Sequence, residues 1–202
     1  MMLKRFIFYF FGLMILGLGV SLTIKANIGT GAWDALNVGL SQVSGWTVGT
    51  WVILVGLLLI FVNSFISKER PMMYSMLTPI LIGFTIDFWI MVGLDDLQFN
   101  SILLRYILFF IGLFLIAVGV SFYLQANIAP NPVDQFMLSL NKRFGMSLMM
   151  AKTIGEVLAL ILAIFLNGPI GIGTIIITII IGPIIQLFYG PVQLLYKKWK
   201  VV

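Results

Sequence analysis

Long apolar stretches alternate with short polar punctuation along this chain. Uninterrupted runs occupy about 6–24, 48–66, 73–93, 102–124, 147–166 and 171–194. None alternates with a period of two, and most are longer than a strand, so the pattern predicts helices. About 20 apolar residues suffice to cross a bilayer. A chain inside lipid must also satisfy its own backbone hydrogen bonds, which selects helices again. The expected fold is all-α, a polytopic membrane protein with six transmembrane helices. The first run follows Lys4 and Arg5 and so imitates a signal peptide, whose apolar stretch is only about 7–15 residues. This run is longer, and a close copy of it recurs mid-chain, so it is expected to be retained.

Composition narrows the picture. Of 202 residues, 61% are hydrophobic and 9% charged, and the mean hydropathy is +1.13. Soluble domains carry roughly 45–50% apolar and about 25% charged residues. An ordinary cytosolic enzyme, a disordered chain and a nucleic-acid-binding domain are excluded. The sequence holds no Cys and no His. Disulfides, thiolate or imidazole metal sites, haem ligation and Cys or His nucleophiles are therefore excluded. No metal and no cofactor are expected. The acids form no evident catalytic pair, so the chain is not read as an enzyme.

The net charge of +5 is distributed by side. With the N-terminus inside, Lys4, Arg5, Lys68, Arg70, Lys142, Arg143, Lys197, Lys198 and Lys200 all fall inside, and only Lys25 and Arg105 outside. Asp95 and Asp96 stand on the outer side, and Lys152 falls within a run. This bias predicts six spans with both termini cytoplasmic. It fits a multi-pass protein of a bacterial cell membrane.

Shifted by one hundred residues, the sequence aligns with itself. Between 5–45 and 105–145, fourteen of forty-one positions are identical without a gap, among them Arg5/Arg105, Gly12/Gly112, Gly19/Gly119, Asn27/Asn127, Asp34/Asp134 and Gly45/Gly145. Ile82-Gly83 resembles Ile181-Gly182 with a shift of one. The chain is thus one membrane domain, 1–202, with a first repeat at about 4–94, a second at about 101–194 and a short basic tail, 195–202. Each repeat holds three long runs, an odd number, so the second copy must enter the membrane from the other side. That is an inverted-topology repeat, a plan common in secondary transporters. Gln42-Val43 becomes Lys142-Arg143, so positive charge stands only where this orientation requires it.

Each repeat also holds a short segment, about 31–43 and 131–143. Thirteen helical residues reach only about 20 Å, less than a hydrocarbon core of about 30 Å. Asn131-Pro132 reads as an N-cap followed by Pro in the first turn. Asp34 and Asp134 fall in the first turns, where the helix dipole favours negative charge. Two readings stand: interfacial helices with stabilising acids, or re-entrant half helices lining a substrate site.

Candidate chemistry follows from these segments and from charges inside the runs. Asn27 and Asn127 end the first helix of each repeat, either to cap it or, with Asp34 and Asp134, to bind substrate. Asp87 lies inside the third run, where an ionisable group marks a site or a pair; the alternative puts it near the headgroups. Its repeat mate is Gln186. Lys152 and Glu156 are four apart and share a helix face, as a coupling pair or as a self-neutralised pair reaching the interface. Their mates are Val52 and Gly56. Asp87, Lys152 and Glu156 are the candidates for proton or ion coupling. The glycines of the first and fourth runs permit close helix packing.

Asn27-Ile28-Gly29-Thr30-Gly31-Ala32-Trp33-Asp34-Ala35-Leu36, Gly45-Trp46-Thr47-Val48-Gly49-Thr50, Gly171-Ile172-Gly173-Thr174 and Ile181-Gly182-Pro183 together resemble the YczE/YyaS/YitT group of bacterial membrane proteins, most closely the short YczE/YyaS type. The resemblance covers nearly the whole chain. It implies a bacterial cell-membrane location and no particular reaction. Pro130-Asn131-Pro132-Val133 departs from Thr30-Gly31-Ala32-Trp33, so the two short helices are not expected to do equal work. Inverted repeats, paired short helices and membrane acids point to a small secondary transporter working by alternating access. Sparse central charge suits a neutral or small polar solute or an ion. The alternative is a non-transporting accessory or regulatory protein. Expected partners are the lipid bilayer, a small-molecule or ion substrate, and a second copy or another membrane protein; no nucleic acid is expected.

Overall fold

The computed structural model describes residues 2–95 and 101–199. Asp96 and Lys200, used in the charge count, lie outside the described residues. The described chain is helical throughout: α1 (Met2–Ala26), α2 (Ala32–Ser44), α3 (Val48–Ser67), α4 (Leu77–Phe88), α5 (Ile102–Ala126), α6 (Pro132–Phe144), α7 (Leu148–Phe165) and α8 (Ile172–Lys198). A 3₁₀ turn, Met73–Met76, leads into α4 and a π turn, Trp89–Gly93, leads out of it. With those turns included, six helices are long and apolar enough to cross a membrane. Helices α2 and α6, thirteen residues each, are the short ones.

The devices that start and stop these helices recur one hundred residues apart. Asn27 and Asn127 both take left-handed conformations, φ 52 and 46°, where α1 and α5 end, a conformation Asn tolerates and most residues avoid. Gly45 and Gly145 do the same after α2 and α6, each returning its N–H to a carbonyl of the preceding turn. Thr47 and Ser147 then cap α3 and α7 by accepting from the N–H groups of Thr50 and Met150. Asn131 caps α6 through Val133 N–H, with Pro132 in the first turn, as its sequence predicts.

The spine of the bundle is the pair α1 and α5. A Cβ on Gly12 would sit 2.9 Å from Gly119 O and one on Gly119 2.7 Å from Gly12 O; on Gly19 and Gly112 the reciprocal values are 2.7 and 2.8 Å. Residue numbers fall along one helix as they rise along the other, so the two run antiparallel at backbone contact. Only glycine permits that approach. At one end Arg5 Nε donates to Ala126 O at 2.8 Å, and the same guanidinium reaches Asn127 O. Phe8, Tyr9, Leu13, Leu16, Ile116 and Tyr123 fill the adjoining core. Helix α4 packs on α1, and α8 packs on α5.

The remaining helices form two flanks. Helices α3 and α6 pack together, as do α2 and α7. On one flank α3 also packs closely on α4: a Cβ on Gly83 would meet Gly49 O at 2.5 Å, and one on Gly56 would meet Pro79 Cβ at 2.7 Å. On the other flank α7 and α8 do not pack along their lengths. Helix α1 is the most buried of the six long helices and α8 the least.

Candidate functional site

The first turns of α2 and α6 meet inside the bundle. Trp33, at the second position of α2, places its ring 6.4 Å from that of Phe136 in α6, edge to face. Both rings also lie against Gly155 of α7. Above that glycine opens a chamber of about 150 Å³, with Trp33, Phe136 and Met137 as apolar walls and Asp134, Lys152 and Glu156 as polar ones. Met137, Lys152 and Glu156 also line a wider cleft of about 820 Å³ between α7 and α8. Met137, Lys152 and Glu156 thus form the common border of the two cavities. The cleft wall is mostly aliphatic, relieved by Thr153, Thr174 and Thr178.

Local sequence explains why charge collects there. Asp134 holds the third position of α6, where unpaired N–H groups and the dipole favour a carboxylate. It accepts a hydrogen bond from Tyr123 Oη at 2.9 Å. Asp34 holds the same position of α2, with its carboxylate 3.0 Å from where a Gly31 Cβ would be. Glu156 lies eight residues into α7, about 12 Å along it, and four residues beyond Lys152. Asp34 is within electrostatic reach of Glu156, and Asp134 of both Lys152 and Glu156. Lys152 and Glu156 share the face their spacing predicts but make no direct ion pair; both turn to the cavity instead. Two carboxylates, Asp134 and Glu156, thus share the chamber wall with one ammonium, and Asp34 stands behind Trp33 outside that wall.

The other sequence candidates fall elsewhere. Asn27 and Asn127 are exposed at the ends of α1 and α5 and line neither the chamber nor the cleft. Asp87 stands at the start of α3: Thr47 Oγ1 donates to its Oδ2 at 2.6 Å, and Gly49 N–H to its Oδ1 at 2.7 Å. It serves there as a cap supplied by a neighbouring helix. Gln186 is exposed. Lys142, whose charge marks the second copy, pairs with Glu69 across the ends of α6 and α3.

Tyr123 is the site residue that sequence reading passed over. Its repeat mate is Thr23, whose hydroxyl bonds that of Thr30 at 2.8 Å. The signal was available, because a Tyr hydroxyl in an apolar run needs a polar partner, and Asp134 is eleven residues away. A second, smaller cavity of about 40 Å³ lies between α3 and α6. There Asn63 Oδ1 and Ser75 Oγ are buried without a protein partner, a water-sized polar hole.

Six long apolar helices, two of them a glycine-packed pair, define a polytopic α-helical membrane protein. More particularly, the chain belongs to a family described as a family of unknown function (DUF6198), whose profile matches residues 3–190. It is 36% identical over 189 residues to the uncharacterized protein YyaS of Bacillus subtilis (strain 168), covering 94% of each chain. It is 36% identical over 185 residues to the uncharacterized membrane protein YczE of the same organism, covering 90% of this chain and 84% of that one. An uncharacterized protein of Haemophilus influenzae is 25% identical over 178 residues, 88% of this chain and 80% of that one. No solved structure matches.

Proposed function

We propose that this protein is a small secondary transporter of the cell membrane, built from two inverted repeats with both termini in the cytoplasm. The chamber where α2 and α6 meet is its substrate site. The observation that carries this reading is the convergence of Asp134, Lys152 and Glu156 on one cavity beside the first turns of α2 and α6. Ionisable groups held inside a membrane are costly, and they face substrate or ion paths. Short helices that present their N-termini at such a site are a recurring transporter device. The antiparallel glycine contacts of α1 and α5 support the inverted-repeat reading, because they exchange Gly12/Gly119 with Gly112/Gly19.

The same contacts set what moves. Backbone-close helices do not slide without clash, so α1 and α5 stay fixed. Helix α8, least buried and unpacked on α7, is held at its start, where Gly173 N–H donates to Ile28 O at 2.8 Å, and swings about that end. Alternating access then proceeds by opening and closing at α7 and α8 around the charged chamber, with the two halves held together by their spine.

The native chain lacks cysteine, which makes the test direct. A Met137→Cys variant in membrane vesicles of both orientations is expected to react with an impermeant maleimide from either side. Reaction from one side only, under every condition, removes the carrier reading and leaves the accessory protein in its place. In proteoliposomes, Asp34→Asn and Asp134→Asn are expected to lower solute-driven current at least about tenfold while the protein stays folded, as loss of a group from a membrane site implies. Normal current in both variants removes these acids from the mechanism.

A further inference from the structure

The cleft between α7 and α8 has a counterpart one hundred residues earlier that is closed. Gly49 of α3 admits the backbone of α4 at Gly83, and Gly56 admits the ring of Pro79. At the matching positions α7 carries Met149 and Glu156, and both line the cleft. A bulky side chain and a carboxylate where closure needs bare backbone hold the space open. This opening is written into the sequence of the second copy.

Its shape has two parts. The mouth is about 820 Å³ and its walls are aliphatic, including Val157, Leu160, Ile175 and Ile179. Several of these are exposed on the lipid-facing side of the bundle. The inner end is the chamber of about 150 Å³ that holds Asp134, Glu156 and Lys152. A pocket of this volume, apolar with a few convergent polar groups, is of ligand-binding size. The apolar mouth opens where lipid chains lie, so a solute that reaches it comes from the bilayer and carries apolar bulk. The inner charge is two carboxylates, Asp134 and Glu156, against one ammonium, Lys152. The complementary head is therefore positive.

From this geometry we infer that the cleft binds an amphipathic cation, whose apolar body lies between α7 and α8 and whose charge sits in the chamber beside Glu156 and Asp134. The inference rests on the carrier site proposed above and names its substrate class. Polar solutes lack the apolar bulk to fill the mouth. An anionic amphiphile would meet one lysine and two acids.

The test is equilibrium binding to the purified full-length protein in a nonionic detergent. Tetraphenylphosphonium is the probe, and tetraphenylborate, of matching shape and opposite charge, is the control. Tetraphenylphosphonium is expected to bind at least about tenfold more tightly than tetraphenylborate. Glu156→Gln is expected to weaken it by about tenfold or more, the scale of removing one member of a buried charge set. Should that variant fail to fold, Asp134→Asn reads the same effect. Lys152→Met should retain binding, and Val157→Trp, which fills the mouth from an exposed position, should abolish it. Equal or tighter binding of tetraphenylborate overturns the inference. So does phosphonium binding that neither Glu156→Gln nor Val157→Trp alters, which is partition into the detergent. A cleft occupied by a second copy, seen as a dimer that Val157→Trp breaks and that binds no probe, overturns it as well. Transport is read separately. Current for a polar solute without phosphonium binding removes this substrate class and keeps the carrier; phosphonium binding with Met137→Cys reactive from one side only removes the carrier and keeps the binding site.

Discussion

Helices α3 and α4 and helices α7 and α8 hold corresponding places one hundred residues apart and stand in opposite states. The first pair is shut: Gly49 and Gly83 touch through their backbones, and Asp87 ties α4 to the start of α3. The second pair stands apart: Met149 replaces Gly49, Glu156 replaces Gly56, and Gln186 replaces Asp87. The lesson concerns division of labour. One copy keeps the small residues and the interhelical cap, and supplies rigidity. The other has exchanged them for bulk and charge, and supplies a cavity.

The sharpest way to break this contrast is at the matched glycines. Gly83→Leu is expected to destabilise the protein by about 3 kcal/mol or more, since the added carbons meet backbone that cannot retreat. Gly182→Leu should leave thermal unfolding in detergent nearly unchanged, because nothing lies within 4 Å of a Cβ there; it should instead narrow the cleft and lower ligand binding. Equal losses of stability would show that the second pair is as tightly packed as the first. Next in size is the cap. Asp87→Ala should cost about 2 kcal/mol, the worth of hydrogen bonds to a charged group, whereas Gln186→Ala at an exposed position should change stability by less than about 0.5 kcal/mol. The smallest effect is expected at Tyr123. Removing its hydroxyl in Tyr123→Phe should cost about 1 kcal/mol and weaken ligand binding in the chamber, whereas Thr23→Val, its mate, should change stability alone.

Much of this architecture was legible in the sequence. The six runs and the two short segments could be placed within a few residues, because membrane helices announce themselves by length and apolarity and because Asn27, Gly45, Asn127 and Gly145 punctuate both copies. Asn131 and Pro132 carried their own capping chemistry. The repeat was visible in identical residues, and the glycine stripe of the first run predicted close packing. Other features depended on which helix faces which. Asp87 looked like a membrane acid without a partner until α3 was found beside it with Thr47 and Gly49. Lys152 and Glu156 were known to share a face, but pattern alone does not say whether that face meets a helix, lipid or a cavity. The cleft itself follows from absent packing, which sequence periodicity does not encode. Even so, Val52 and Gly56 standing opposite Lys152 and Glu156 had marked where the copies part.

Arg5 closes on carbonyls at the far end of α5, more than a hundred residues downstream, and Gly12 and Gly19 of α1 meet α5, whereas Gly17 meets Thr85 of α4. During biosynthesis, then, the first half of the protein enters the bilayer with its best surface bare. It waits, guarded only by lipid, until the ribosome has produced the matching helix. Chains that stall before residue 126 leave Gly12 and Gly19 without the backbone they pack against.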